Sequence, residues 1–180
     1  MMELLMVIAL TGIISVAITT AVFQVYHMNT RTANDMIAVS QVQQAGKVVS
    51  QDILQARTVD PDDAGGTPEV ELLTLGWTDW ATGYAHKVVY TLVDMTSGAL
   101  KILWREHYVK EDGDFELDSS TKVAEYIDPD RTSCCCDCNG DGDCDDDCDC
   151  GTRVLVFTVT ATVGEESETR TYKVQPRPGS

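Results

Sequence analysis

The chain has 180 residues, a length typical of one domain with an appendage, and 13 basic against 29 acidic residues give a net charge of −16. So acidic a chain is not expected to bind DNA or RNA, because a phosphate backbone selects a basic surface. The charge is uneven, since residues 1–57 are neutral overall and residues 58–180 carry the whole net negative charge. The composition therefore predicts a neutral apolar stalk joined to an acidic head.

The N-terminal segment is apolar and long enough to cross a membrane. Residues 4–23 contain no charged side chain, and twenty helical residues at about 1.5 Å each span a hydrocarbon core of roughly 30 Å. The run lacks the basic region and the cleavage site of a secretory signal peptide, so we expect a membrane anchor.

The helical pattern continues well beyond the apolar run. Apolar residues spaced by three, four and seven follow it, and the first proline is Pro61. This pattern predicts one helix over residues 1–57. A head of this size cannot bury so long a helix, so part of it needs a membrane or other copies of the chain.

An acidic residue, Glu3, precedes the apolar run. A carboxylate at the start of a membrane-spanning helix needs a partner, because lipid offers it none. Free amides at the helix N-terminus or the terminal amine of a neighbouring chain would supply one.

The stretch MELLMVIALTGIISVAI, residues 2–18, resembles the N-terminus of type IV pilins and type II secretion pseudopilins. In that family a prepilin peptidase removes a leader, the new N-terminus is N-methylated, and a glutamate pairs with the terminal amine of a neighbouring subunit. Glu3 matches that glutamate, and Leu4, Leu5 and Gly12 match the run that follows it. Here two residues precede the glutamate instead of the usual four, and the family's helix-breaking proline is absent near Thr20.

The resemblance implies a structural subunit of an extracellular filament. It would lie in the inner membrane first and then be assembled by inner-membrane machinery into a helical homopolymer on the cell surface. One alternative is a minor, J-like pseudopilin at the tip of a type II secretion pseudopilus, favoured by the order of strands in the head and by the absent proline. Another is an adhesive or metal-binding module on a membrane anchor.

Short β-like segments separated by turn signals follow the break around Pro61. They predict an antiparallel meander of four to six strands whose apolar face is covered by the C-terminal half of the helix. The fold class expected is α+β, a long N-terminal helix packed on an antiparallel sheet head with a Cys/Asp-rich loop insertion. The expected strands are residues 70–77, 87–93, 99–109, 122–127, 153–163 and 167–174.

Residues 134–150 read CCCDCNGDGDCDDDCDC, and this segment is expected to form a loop between two strands. Residues 137–142 match the start of an EF-hand calcium loop, but its twelfth position is Cys148 instead of glutamate. The spacing resembles the aspartate-rich calcium repeats of thrombospondin type 3 and dockerin modules, so Ca²⁺ is the expected ion. A solvated loop without metal and a thiolate metal cluster are the alternatives. The predicted calcium ligands are Asp137, Asn139, Asp141, Asp143 and Asp145.

All seven cysteines lie in this same segment. An oxidising exterior favours disulfides, and an odd number leaves one thiol that could pair with a neighbouring subunit. Spacing alone leaves the pairing open. The candidates are Cys134, Cys135, Cys136, Cys138, Cys144, Cys148 and Cys150.

The sequence contains no pattern typical of an enzyme. His27, His86 and His107 stand apart, no glycine-rich phosphate loop follows a strand, and no CxxCH segment would attach haem. We therefore expect no catalysis, no haem and no nucleotide. The three tryptophans are expected to pack or to line an interface and not to form a carbohydrate platform; they are Trp77, Trp80 and Trp104.

Overall fold

The computed structural model describes residues 2–61, 70–96, 98–111, 113–137 and 154–177, and the predicted α+β layout is confirmed. One long helix, α1, packs on an antiparallel sheet of eight strands. A short 3-10 helix, Pro129–Arg131, separates β5 from β6. The bounds are α1 Met2–Ile53, β1 Thr58–Asp60, β2 Val70–Thr78, β3 Ala85–Asp94, β4 Lys101–Lys110, β5 Glu116–Ile127, β6 Ser133–Asp137, β7 Val154–Val163 and β8 Glu166–Val174.

The sheet consists of a meander and a C-terminal group of strands. Strands β1 to β5 pair in chain order, β7 follows β5, and β6 and β8 pair with β7. The two groups meet at one residue pair, Ile127 and Ala161. Tyr126 beside this junction adopts a φ of 61°, a left-handed conformation that few non-glycine residues accept.

Only the C-terminal part of the helix packs on the sheet. Residues spaced by three and four form a fully buried stripe, the pattern of an amphipathic helix. This stripe lies against β8, β7 and β5. By contrast, residues 6–33 are exposed along the whole circumference of the helix. The stripe comprises Ala38, Val42, Ala45, Val49 and Ile53.

A buried polar cluster joins the helix to the sheet. Asp52, only 7% exposed, accepts a hydrogen bond from the hydroxyl of Tyr90 on β3. Arg105 on β4 donates to the same carboxylate through Nε at 2.6 Å and Nη2 at 3.2 Å. Because all three side chains are paired, the cluster fixes the helix against two central strands.

Two predicted boundaries and the predicted number of strands are wrong for local physical reasons. The helix ends at Ile53 and not at residue 57, because the chain turns so that the amide of Arg57 donates to Gly76 O and β1 pairs with β2. The sheet has eight strands and not four to six, since β1 is too short to show alternation and β6 is cysteine-rich. Strand β5 begins at Glu116 and not at residue 122, because its polar first half is exposed.

Candidate assembly helix and cysteine segment

The exposed part of the helix is the largest apolar surface among the described residues. It is long and apolar enough to cross a membrane by length and composition, and the head buries none of its most apolar stretch. Ile8, Ile13 and Ile18 are each about 60–70% exposed. Because apolar residues occupy all sides, the segment suits lipid or a bundle of helices better than one face of a globular core.

The hydroxyl side chains of residues 4–23 are satisfied within the helix. Thr11, Ser15, Thr19 and Thr20 each donate their hydroxyl to the carbonyl oxygen four residues earlier. They are the only hydroxyl-bearing residues between residues 4 and 23. The segment therefore presents no unpaired hydroxyl donor to hydrocarbon, where such a group would be costly.

The predicted assembly residues lie together at the free end of the helix. Glu3 is exposed in the first turn, Leu4 and Leu5 belong to the same turn of backbone, and Gly12 follows two turns later. A Cβ atom built on Gly12 would meet no other atom within 4 Å. The head leaves this region open, and the role of these residues in assembly stays a prediction.

The cysteine-rich segment begins as a strand, which corrects the predicted loop. Residues 133–137 form β6 and pair with residues 154–158 of β7. Asp137 at the end of β6 is 5% exposed, and its Oδ2 lies 4.0 Å from Nζ of Lys173. The other predicted ligands, Asn139, Asp141, Asp143 and Asp145, lie outside the described residues. Within the described ranges no three His, Cys, Asp or Glu side chains form a metal-binding group, and calcium binding stays a prediction.

The cysteines of β6 differ in state. Cys134 is a free thiol that packs against the core, and desolvation raises its pKa to about 12. Such a thiol stays protonated and reacts slowly, so it is poorly suited to pairing with a neighbouring subunit. Cys135 and Cys136 are not free thiols. Cys138, Cys144, Cys148 and Cys150 lie outside the described residues, and the disulfide pairing stays a prediction.

Two histidines that stand apart in the sequence meet on the sheet. His86 Nδ1 lies 3.1 Å from His107 Nε2, and His107 Nδ1 lies 3.0 Å from Asp118 Oδ2. The ring of Trp77 packs nearly parallel to both imidazoles, with centroids 5.4 and 5.9 Å away. His27 remains alone on the exposed helix. The description of His86 and His107 as isolated residues was therefore wrong.

The tryptophans differ in how far they are buried. Trp77 is partly buried against the core, as expected of a packing residue. Trp80, in the turn between β2 and β3, is 80% exposed and does not pack into the head. The guanidinium of Arg57 lies 4.7 Å from the centroid of its ring.

Compared with known proteins, the chain matches no family, no curated protein and no solved structure.

Proposed function

We propose that this chain is a structural subunit of an extracellular type IV pilus-like filament, assembled through its N-terminal helix. The observation that supports this function is the helix itself, which is apolar and exposed over residues 6–33 and carries a folded head only on its C-terminal part. Lipid and a bundle of identical helices are equally apolar. Transfer from the inner membrane into a filament core therefore costs little hydrophobic free energy.

Exposed apolar residues beyond the membrane-length run favour a filament over a simple anchor. Val25, Tyr26, Met28 and Met36 lie outside residues 4–23, and each is 67–73% exposed. In a single-pass anchor they would face headgroups or water, where an extended apolar surface is unfavourable. In a bundle of copies neighbouring helices would cover them.

The finer steps follow the resemblance of residues 2–18 to prepilins. A prepilin peptidase would release the N-terminus, N-methylation would follow, and the carboxylate of Glu3 would pair with the terminal amine of the next subunit. Inside an apolar bundle such a pair is strongly favoured, because either charge alone would be uncompensated. The acidic head would face outward, with Ca²⁺ and disulfides stiffening residues 134–150.

The decisive experiment compares Glu3→Ala with Glu111→Ala, a control that removes an exposed head carboxylate. Fibres are sheared from cells and identified by mass spectrometry, and membrane-inserted chain is quantified separately. We expect Glu3→Ala to abolish fibres while leaving the membrane form, and Glu111→Ala to assemble normally. Normal fibres from Glu3→Ala would refute the role of Glu3. If the chain is a trace component of fibres built from another protein, the J-like tip subunit replaces the filament subunit.

A second variant separates a filament from an anchored module. Met28→Ser lies beyond the membrane-length run, so it should lower the yield of fibres without changing membrane insertion. Unchanged fibre yield, or fibres absent from the wild type, would favour the anchored module. Met36→Ser offers a second position with a similar exposure, 67% against 73%.

A further inference from the structure

A cleft of about 340 Å³ opens where the helix ends. Trp77 and His86 occupy paired positions on β2 and β3, Arg57 follows the helix, and Arg177 follows β8. The buried Pro176 fixes the chain next to Arg177. Three separate parts of the chain thus place aromatic and cationic groups around one opening.

The cleft concentrates positive charge in an acidic chain. Among the described arginines, Arg31, Arg105 and Arg170 form ion pairs with carboxylates. No carboxylate of the described residues forms an ion pair with Arg57 or Arg177. Guanidinium groups offer a planar fork of donors that matches a carboxylate, so two of them at one opening favour an anionic ligand.

The turn that carries the exposed Trp80 is ordered by hydrogen bonds. Asp79 Oδ1 accepts from the amide of Ala81, and Oδ2 accepts from the hydroxyl of Thr82, both at 3.0 Å. These two bonds lower the pKa of Asp79 and keep its charge engaged within the turn. Gly83, with a φ of 77°, closes the turn through its amide to Asp79 O. An ordered turn reduces the entropy lost when a ligand packs on the indole.

The second aromatic wall is rigid as well. Trp77 packs against His86 and His107 with interplanar angles of 13° and 8°. Asp118 holds His107 from the far side. The remaining lining residues are Gln55, Thr78 and Asp79, and the carboxylate of Asp79 is bonded to Ala81 and Thr82 of its own turn. Together these walls offer two indoles, two guanidinium groups and several hydrogen-bonding groups in a small volume.

We infer that this cleft binds an acidic carbohydrate, a sugar ring that carries a carboxylate, which reverses the expectation from the sequence that the tryptophans form no carbohydrate platform. The carboxylate would pair with Arg57 and Arg177, while the C–H face of the ring packs on Trp80 or Trp77. Ring hydroxyls would bond to Gln55, Thr78 and His86, whose polar groups suit a hydroxylated ligand better than an apolar one. The volume lies near the lower end of small-ligand pockets, about 300–1,000 Å³, and so suits one or two sugar rings better than an extended peptide.

The test titrates full-length chain in neutral detergent micelles with tri-galacturonate and with the uncharged tri-galactose, using isothermal calorimetry. We expect saturable binding of tri-galacturonate and at least about tenfold weaker binding of tri-galactose, the loss expected for a charge-assisted pair. Equal binding of the two sugars, or no saturable binding of either, overturns the inference. Binding of an Asp/Glu hexapeptide without binding of tri-galacturonate also overturns it, in favour of a protein partner.

Substitutions inside and outside the cleft test whether the sugar binds there. Trp80→Ala and Arg177→Gln change exposed side chains, and each should weaken tri-galacturonate binding at least about fivefold. The matched controls Phe115→Ala and Arg131→Gln remove an exposed aromatic and an exposed arginine that do not line the cleft, and they should bind like the wild type. Equal weakening in controls and cleft variants would overturn the site. The assay uses unassembled chain, so its outcome does not depend on whether the proposed filament forms.

Discussion

Two isoleucines of the same helix have opposite surroundings. Ile13 is 69% exposed, whereas Ile53, forty residues later, is completely buried. Around Ile53 the apolar residues follow one stripe and polar residues occupy the other sides, so one face fits the sheet. Around Ile13 apolar residues occupy every side. Burial in this chain therefore depends on the pattern of apolar residues around the helix and not on their number.

A turn of the sheet marks the boundary between the exposed half and the packed half of the helix. Arg31 on the helix lies 3.2 Å from Glu165 and 3.6 Å from Glu166 at the β7–β8 turn. Gly164, with a φ of 64°, brings the same turn against Asn34. Toward the C-terminus the helix belongs to the head, and toward the N-terminus it is independent of it. Substitutions on the two sides should therefore have separate effects.

The largest effect is expected from Asp52→Ala in the packed half. Removing this carboxylate leaves Arg105 and Tyr90 without their buried partner, which should lower the free energy of unfolding by about 3–5 kcal/mol. All three tryptophans lie in the head, so their fluorescence during urea denaturation in micelles reports its stability. Asp35→Ala, an exposed carboxylate of the same helix, is the control and should change nothing. Similar losses from both variants would contradict the distinction between the buried Asp52 and the exposed Asp35.

The matched pair Ile53→Ala and Ile13→Ala tests the comparison directly. The first should destabilise the head by about 2–5 kcal/mol because it leaves a cavity in a closed core. The second should leave head stability within about 0.5 kcal/mol, since Ile13 contacts no part of the head. The same urea titration measures both. A loss above about 1 kcal/mol from Ile13→Ala would show that the free half contributes to folding.

The sequence predicts part of this division because it depends on local pattern. The C-terminal half of the helix was expected to cover the sheet and packs on it from Ala38 onward, whereas the spaced apolar residues Val25, Met28 and Met36 before it stay exposed. The strands that alternate strongly, such as β7, were found within about one residue. Strand β6 was missed because its three consecutive cysteines show no alternation of apolar and polar residues and aspartate is depleted in strands, so that its strand character shows only in its pairing with β7.

The histidine pair and the cleft depend on contacts that the sequence shows less directly. Residues 94–98 were expected to turn, and a hairpin about that turn places His86 and His107 on one face of adjacent strands. The hairpin could therefore be predicted from the sequence, but a hydrogen bond between the two imidazoles could not. The approach of Arg57 and Arg177 to Trp80 depends on where the helix ends and on the course of the chain after β8. Neither leaves a local pattern.

Gly46→Val should produce a smaller loss than the cavity variants. A Cβ atom at this position would occupy the space of the Tyr172 ring, whose hydroxyl donates to Val42 O at 3.0 Å. Forced displacement of the ring should cost about 1–3 kcal/mol in the urea titration. Gly12→Val, in open space on the free half, is the control and should leave the head unchanged. A stable Gly46→Val variant would show that Tyr172 can move without loss.

Alkaline pH should lower the free energy of unfolding of the head through Cys134. Burial raises its pKa from 9.0 to about 12, so between these values the unfolded chain loses a proton that the folded chain keeps. Stability from this group is complete below pH 9 and falls as pH rises, by at most about 1.4 kcal/mol per pH unit. Urea titrations at pH 8 and pH 10 should show the fall in the wild type and a smaller one in Cys134→Ala. Equal falls in both would assign the pH dependence to other groups.

The smallest effect is expected at the boundary itself. Arg31 and Glu165 are exposed by 66% and 84% of their side chains, so Arg31→Gln should cost only about 0.2–1 kcal/mol. Because the pair is screened, the difference from wild type should shrink as salt rises from 0.05 to about 0.5 M. A double-mutant cycle with Glu165→Gln separates the pair from other effects of each substitution. A coupling above about 2 kcal/mol that persists in salt would mean that the turn is packed onto the helix, and the packed half would then begin near residue 31 instead of residue 38.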